Sequence, residues 1–222
     1  MNSVKRIERL LLFLAVATVI ACVSTPAFAY SFSKGTNYWL DYTGVIGEVV
    51  HSSTLGNVYA GAINLSVYNS SGISAGNWLA NISTLCVTPN IYLQDPFLAT
   101  YTDLSVNNRA RWILQNYSLK TSGEADANAW NAGMQLAVWD FSGGPIVTGG
   151  STSANNYALM FYNDAVSHTA DGMSYVDGFS GKDANGLQRS QDLIPPSVPE
   201  PVSVVLGVLG LISVAGFRRL RK

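Results

Sequence analysis

The chain has 222 residues, a formal net charge of −1 at neutral pH and only 12% charged residues. Acidic residues outnumber basic ones between Tyr30 and Asp192, and no basic stripe is present there, which argues against a nucleic-acid-binding surface. The abundance of Asn, Ser, Thr, Gly and Tyr is typical of a secreted, β-rich protein, and the length suits one domain between two terminal segments.

The N-terminus has the three parts of a secretory signal peptide, which we assign to residues 1–29. Its basic region contains Lys5, Arg6 and Arg9. An apolar stretch follows from Leu10 to Ala21, and Ala27 and Ala29 form a small-x-small cleavage motif. We therefore expect signal peptidase to leave Tyr30 as the mature N-terminus.

A lipoprotein signal is the alternative at this end of the chain. Val19-Ile20-Ala21-Cys22 loosely fits a lipobox, in which Cys22 would be the lipidated residue. In the signal-peptide interpretation, Cys22 is removed with the leader.

The first half of the mature chain is predicted to be β-rich. Alternating or β-branched runs indicate strands at 45–50, 57–68 and 82–87. In the second of these runs the alternation involves Val58, Ala60, Ala62 and Leu65. The predicted architecture is a sandwich or barrel, which forms the β part of an α+β domain covering residues 30–190.

The second half is predicted to contain about three helices. Asp103 or Asn107 is a candidate N-cap for a helix that reaches Tyr117. The strongest helical pattern covers 124–141, where Trp130, Met134, Val138 and Phe141 share one face. A third helix is predicted at 154–166 with Tyr157, Phe161 and Ala165 on one side, and a strand is predicted at 173–179.

The C-terminal segment has three parts in a fixed order. Residues 191–201 carry four prolines and are predicted to form a stiff stalk. The uncharged stretch 202–217 is predicted to be a transmembrane helix, slightly shorter than a typical span. The basic tail 218–222 is expected to stay in the cytoplasm.

The stretch Pro199-Glu200-Pro201, followed by an apolar span and then by Arg218 and Arg219, resembles the PEP-CTERM sorting signal. This resemblance implies processing by an exosortase, with the protein first anchored in the inner membrane and then released to the cell surface or extracellular matrix. An ordinary single-span anchor with a positive stop is the alternative.

After signal-peptide removal Cys86 is the single cysteine of the chain, which is unusual in an oxidising compartment because it has no partner for a disulfide. Gln135 lies on the strongest predicted helix and is flanked there by Val138 and Trp139. A buried amide needs hydrogen-bond partners, and each unsatisfied group costs about 1–3 kcal/mol. Both residues therefore require an explanation.

The stretches Leu85-Cys86-Val87 and Gln135-Leu136-Ala137-Val138-Trp139 together resemble the surface thioester domain, and so does the preceding Trp112–Tyr117 stretch. The resemblance implies an internal thioester between Cys86 and Gln135, surrounded by Leu85, Val138 and Trp139. It also implies a covalent adhesin or matrix-attachment module, which is not an enzyme and which reacts once with an amine- or hydroxyl-bearing ligand.

Two other interpretations of these residues stay open. Cys86 packs as a buried core thiol if no thioester forms, and the protein is then a non-covalent structural component of an exopolysaccharide matrix. A hydrolase that pairs Cys86 with His51 or His168 is a third possibility.

The remaining polar residues suggest fewer sites. The stretch that contains Asp171, Asp177 and Asp183 is rich in oxygen donors, but it lacks EF-hand spacing. We therefore predict no metal and no cofactor. Trp39 and Tyr42, near the mature N-terminus, are candidates for exposed stacking residues.

Overall fold

The computed structural model describes residues 31–53, 55–88, 91–144, 147–183 and 185–195. The predicted signal peptide, the PEP motif, the apolar span and the basic tail lie outside these ranges. Within the described residues, no helix is long and apolar enough to cross a membrane.

The described part of the chain folds into seven strands and three helices, which confirms the α+β class. The strands are β1 (Asn37–Ser52), β2 (Gly56–Tyr68), β3 (Trp78–Cys86), β4 (Phe97–Asn107), β5 (Val147–Gly149), β6 (Met173–Ser180) and β7 (Leu193–Ile194). The helices are α1 (Asn108–Asn116), α2 (Ala127–Phe141) and α3 (Thr152–His168).

Six of the strands form a closed antiparallel ring. The order β2-β3-β7-β6-β4-β1 is closed by the long β1–β2 pairing, and β5 adds to the C-terminal end of β1. The first residues of β1 pair with β4, while most of β1 pairs with β2. Strand β1 therefore pairs with β4 along one edge and with β2 along the other, which closes the sheet so that one of its faces is buried inside the ring.

The apolar residues predicted to alternate in β2 are buried, but they do not all share one face of the strand. Val58 is half-buried, and Ala60, Ala62 and Leu65 are at most 1% exposed. Val58, Ala60 and Ala62 lie two residues apart and so point to one side, whereas Leu65 follows Ala62 by three residues and does not continue this alternation.

The three helices pack together at one side of the sheet. Asn107 is the N-cap of α1, and its side chain accepts a hydrogen bond from the backbone N–H of Arg109. Phe161 and Ala165 of α3 are fully buried, and Tyr157 packs against them at the predicted face. Helix α2 is the most buried of the three and contacts both the sheet and the other two helices.

Two differences from the sequence prediction concern strands. Asp103 is not a helix cap, because it lies in the middle of β4, where it pairs with Asp177 of β6. Leu193 and Ile194, which the sequence placed in the stalk, form β7 and are fully buried. The folded unit therefore extends past the predicted boundary at residue 190.

Candidate functional site

Cys86 is the last residue of β3, and the alternation of that strand decides where its side chain points. Leu85 and Val87 pack into the apolar cluster formed mainly by the helices. Cys86 points to the opposite side, into the cluster formed mainly by the strands, and is fully buried. The predicted neighbour Leu85 is therefore adjacent in the chain, but it faces a different part of the core.

Gln135 lies in the middle of α2, on the helix face directed towards Cys86. Ala132 and Trp139, three residues before and four residues after it, belong to the same apolar cluster as Cys86. Gln135 is fully buried, as the sequence predicted from its apolar neighbours. Val138 is also fully buried, but it packs into the cluster on the helical side.

The Gln135 carboxamide forms two hydrogen bonds with the backbone of Cys86. The Cys86 N–H donates to Gln135 Oε1 at 2.9 Å, and Gln135 Nε2 donates to the Cys86 carbonyl oxygen at 2.7 Å. The ladder between β2 and β3 ends at Thr84, and β7 pairs with β3 along its other edge. The Gln135 amide thus pairs with the N–H and the carbonyl of Cys86, beyond the point where β2 pairs with β3.

The surroundings of the thiol keep it protonated. Burial raises the pKa of Cys86 to about 12, although the backbone N–H and hydroxyl of Thr88 act in the opposite direction. The indole N–H of Trp139 also lies close enough to lower this pKa, but it completes no hydrogen bond within the described residues. The thiol is thus surrounded by donors in a site that excludes water.

Thr88 is a neighbour of the site that the sequence analysis missed. Its hydroxyl accepts a hydrogen bond from the backbone N–H of Asp192 at 2.7 Å, which ties it to the residue preceding β7. In an extended chain, residues two positions apart share a face. The spacing between Cys86 and Thr88 was therefore a signal for this contact.

A second buried amide on α2 pairs with the backbone in the same way. Asn131, four residues before Gln135, accepts from the Lys120 N–H at 2.9 Å and donates to the Lys120 carbonyl oxygen at 2.8 Å. Asn131 is fully buried as well. Two-fold amide pairing is thus a repeated feature of this helix, and only at Gln135 does the paired residue carry a thiol.

The two histidines make contacts away from the thiol. His51 is exposed and bonds Asn57, while His168 stacks on Trp112 at 4.9 Å between ring centroids. Neither histidine is among the groups that influence Cys86. The geometry of the described residues thus offers no support for a Cys–His nucleophile.

The acidic residues that suggested an oxygen-donor site are separated from one another. Asp171 accepts from Asn107, Asp177 is paired with Lys34, and Asp183 with Arg189. No group of three or more metal-ligating side chains occurs among the described residues.

Several predicted site residues lie outside the described residues. These are the cleavage-site residues Ala27, Ala29 and Tyr30, the alternative lipidation site Cys22, and the sorting-signal residues Pro199, Glu200, Pro201, Arg218 and Arg219.

Comparison of the chain with protein-family models, with curated proteins and with solved structures gives no match.

Proposed function

We propose that this protein is an exported, surface-sorted module that attaches covalently to its ligand through a thioester between Cys86 and Gln135. The observation that supports this most strongly is the fully buried Gln135 carboxamide, which is hydrogen-bonded at both ends to the backbone of Cys86. These contacts hold the Gln135 amide against the backbone of the residue that carries the thiol, and both residues are fully buried.

Thioester formation is an acyl transfer within the chain. The sulfur of Cys86 attacks Cδ of Gln135, the C–N bond breaks, and the thiol proton leaves with the nitrogen as ammonia. The Cys86 N–H that donates to Oε1 polarises the carbonyl and stabilises the negative charge that develops on this oxygen. The same group thus positions the amide and assists the attack on it.

The resulting thioester is an activated acyl group, because a thiol is a better leaving group than an amine. An incoming amine or hydroxyl takes the Gln135 acyl group and frees the Cys86 thiol. Burial of both residues limits hydrolysis by water. Each chain reacts once, so the process is covalent attachment rather than enzymatic turnover.

Export and sorting are the second part of the proposal, and they depend on the terminal segments outside the described residues. Signal peptidase cuts before Tyr30, and an exosortase recognises Pro199-Glu200-Pro201 with its basic end. The apolar span 202–217 anchors the protein in the inner membrane before it reaches the surface or the extracellular matrix.

A specific observation favours a second candidate function. Two hydrogen bonds pair the Gln135 amide with Cys86, one through its oxygen and one through its NH2 group, and Asn131 makes the same kind of pair without any thiol. A purely structural role for Gln135 is consistent with both pairs. In that case the protein is a non-covalent component of the extracellular polysaccharide matrix.

Labelling with a fluorescent primary amine tests between the two functions. The covalent function predicts one label per chain, located at Gln135 by peptide mapping, with simultaneous exposure of one thiol. Cys86→Ala removes the sulfur but keeps both backbone partners of Gln135, so it is expected to fold and to remain unlabelled. Asn131 is the internal control, because a label there would indicate unspecific reaction of buried amides. Absence of label from the wild-type chain supports the structural function.

A further inference from the structure

A pocket of about 300 Å³ opens next to the Cys86–Gln135 site. Trp139 lines this pocket and also lies beside the Cys86 thiol, so this residue links the pocket to the buried pair. The lining of the pocket includes Tyr42, Tyr59, Tyr92, Asp95, Trp139 and Gln191.

The mouth of the pocket is aromatic. Tyr59 and Tyr92 are 61% and 62% exposed, and Tyr42 is 38% exposed. The Tyr92 hydroxyl donates to the Leu55 carbonyl oxygen at 2.9 Å, which holds this ring at the mouth. Exposed aromatic rings around a cavity are suited to contact a cation or the flat face of a ligand.

The same pocket carries negative charge and no positive charge. Asp95 accepts from the backbone N–H of Tyr42 at 2.8 Å through one oxygen of its carboxylate. Burial raises the pKa of Tyr42, and the nearby Tyr59 and Asp95 raise it further, as expected where three acidic groups face one another. The described lining contains no Lys, Arg or His.

Two buried polar atoms of the lining residues have no hydrogen-bond partner among the described residues. Gln191 donates from Nε2 to the Ile91 carbonyl oxygen at 2.7 Å, and its Oε1 is left without a donor. Trp139, only 4% exposed, leaves its indole N–H without an acceptor. Buried polar groups of this kind are rarely left unpaired.

We propose that this pocket binds a primary ammonium group between the tyrosine rings and Asp95. The rings supply cation–π attraction, and the carboxylate supplies the opposite charge. A neutral ligand of the same shape uses neither the charge nor the cation–π contact.

The amine bound in this pocket is also the group that takes the Gln135 acyl group from the thioester. This step depends on the function proposed above. The bound ammonium releases one proton to solvent, and its nitrogen attacks Cδ of Gln135. The C–S bond breaks, the second proton moves from nitrogen to the Cys86 sulfur, and the ligand is left on Gln135 as a secondary amide. Cys86 and Gln135 are fully buried and do not line the pocket, so the local structure around Trp139 must open for the amine to reach Gln135.

Reversible binding to the full-length Cys86→Ala chain in detergent tests the pocket separately from the thioester. The probes are a lysine with blocked α-groups and glucosamine, and the neutral controls are the matching norleucine derivative and N-acetylglucosamine. We expect tyrosine and tryptophan fluorescence to report binding of one or both amines and not of the neutral controls. The amine that binds more tightly identifies a lysine side chain or an amino sugar as the source.

Asp95→Asn is the matched variant, because its side-chain oxygen still accepts from the Tyr42 N–H while the charge is lost. We expect this change to weaken ammonium binding by about tenfold, as the loss of a charged hydrogen-bond partner does. Asp140→Asn, at an exposed site outside the pocket lining, is expected to bind normally. Equal binding of amines and neutral controls, or no effect of Asp95→Asn, would overturn the proposal. Ammonium binding without any labelling of the wild-type chain would support the pocket and overturn only the thioester.

Discussion

The side chain of Gln135 is hydrogen-bonded to the backbone of Cys86 and not to its thiol. The distances are 2.9 Å to Oε1 and 2.7 Å from Nε2. Because both bonds use backbone atoms, the thiol can be removed without disturbing the pairing. The structural and chemical roles of the two residues can therefore be separated by substitution.

The first prediction compares two variants that both lack a thioester. Cys86→Ala keeps the hydrogen bonds, whereas Gln135→Leu leaves the buried N–H and carbonyl of Cys86 without partners. Each unsatisfied group costs about 1–3 kcal/mol. We therefore expect Gln135→Leu to be less stable than Cys86→Ala by about 2–6 kcal/mol in urea unfolding. The double variant is the control, and equal stability of the two single variants would show that the pairing contributes little.

The second prediction concerns pH in a chain whose thiol is free, such as wild type after opening with methylamine. Burial raises the pKa of the Cys86 thiol to about 12 in the folded state, whereas an unfolded thiol ionises near about 8.5. The unfolded state therefore loses its proton first, and the free energy of unfolding falls as the pH rises from about 9 towards 12.

Urea unfolding at several pH values measures this effect, with Cys86→Ala as the control that lacks the titrating group. The native thiol is also expected to resist iodoacetamide at pH 8 and to react after unfolding. Rapid alkylation of the folded chain would contradict the burial of Cys86.

The third prediction concerns the contact between α2 and α3. A Cβ at Gly133 would lie 2.5 Å from Cβ of Tyr157 and 2.9 Å from the Ala154 carbonyl oxygen. Gly133→Ala favours the helix by about 1 kcal/mol but forces the helices apart, and overpacking costs about 1–3 kcal/mol. We expect a lower melting temperature and weaker amine labelling, because Gln135 lies on the same helix. Gly76→Ala, with open space around it, is the control and is expected to be tolerated.

The fourth prediction concerns a charge cluster on the outside of the sheet. Asp103 and Asp177 lie directly opposite each other on β4 and β6, and Lys34 Nζ contacts them at 2.7 and 2.8 Å. The hydrogen bond from Lys34 lowers the pKa of Asp103, and Asp177 adds to this shift. The contact between Lys34 and the ionised Asp103 therefore stabilises the fold above the unfolded pKa of Asp, about 3.9, and this stabilisation is lost as the pH falls below it.

Lys34→Met leaves two carboxylates facing each other, so we expect a lower melting temperature at pH 7 that recovers towards the wild-type value at pH 3. Added salt is expected to reduce the difference, because the groups are exposed. Lys182→Met is the control, because Lys182 forms no ion pair with any of the described residues. An equal loss of stability at pH 3 and pH 7 would contradict the electrostatic explanation.

The helices and the burial of Gln135 could be predicted because their signals are local. The face containing Met134 and Val138 follows from the helical period, and Asn107 is an N-cap by residue type. The burial of Gln135 followed from its apolar neighbours on the helix. Its pairing with the backbone of Cys86 could not be predicted, because it depends on where β2 stops pairing with β3.

The missed elements depend on contacts between distant parts of the chain. In β4, the buried positions shift from Phe97 and Ala99 to Leu104 and Val106, so a single alternation does not run through the strand. β7 has only two residues, and its pairing with β3 and β6 defines it. The pocket lined by Tyr42, Tyr59 and Tyr92 combines side chains from separate segments of the chain, and no local sequence pattern predicts such an arrangement.

The intact mass of the purified mature chain tests the central claim most directly. The thioester predicts a mass lower than that of the sequence by one ammonia, no titratable thiol in the unfolded but untreated protein, and an increase by one methylamine on treatment. The mass deficit is expected to be absent from Cys86→Ala. The thioester would also close the loop between Cys86 and Gln135, and a cross-link over a loop of about 50 residues stabilises a fold by roughly 4 kcal/mol. A full unmodified mass with one titratable thiol would contradict the thioester and leave Gln135 with a structural role alone.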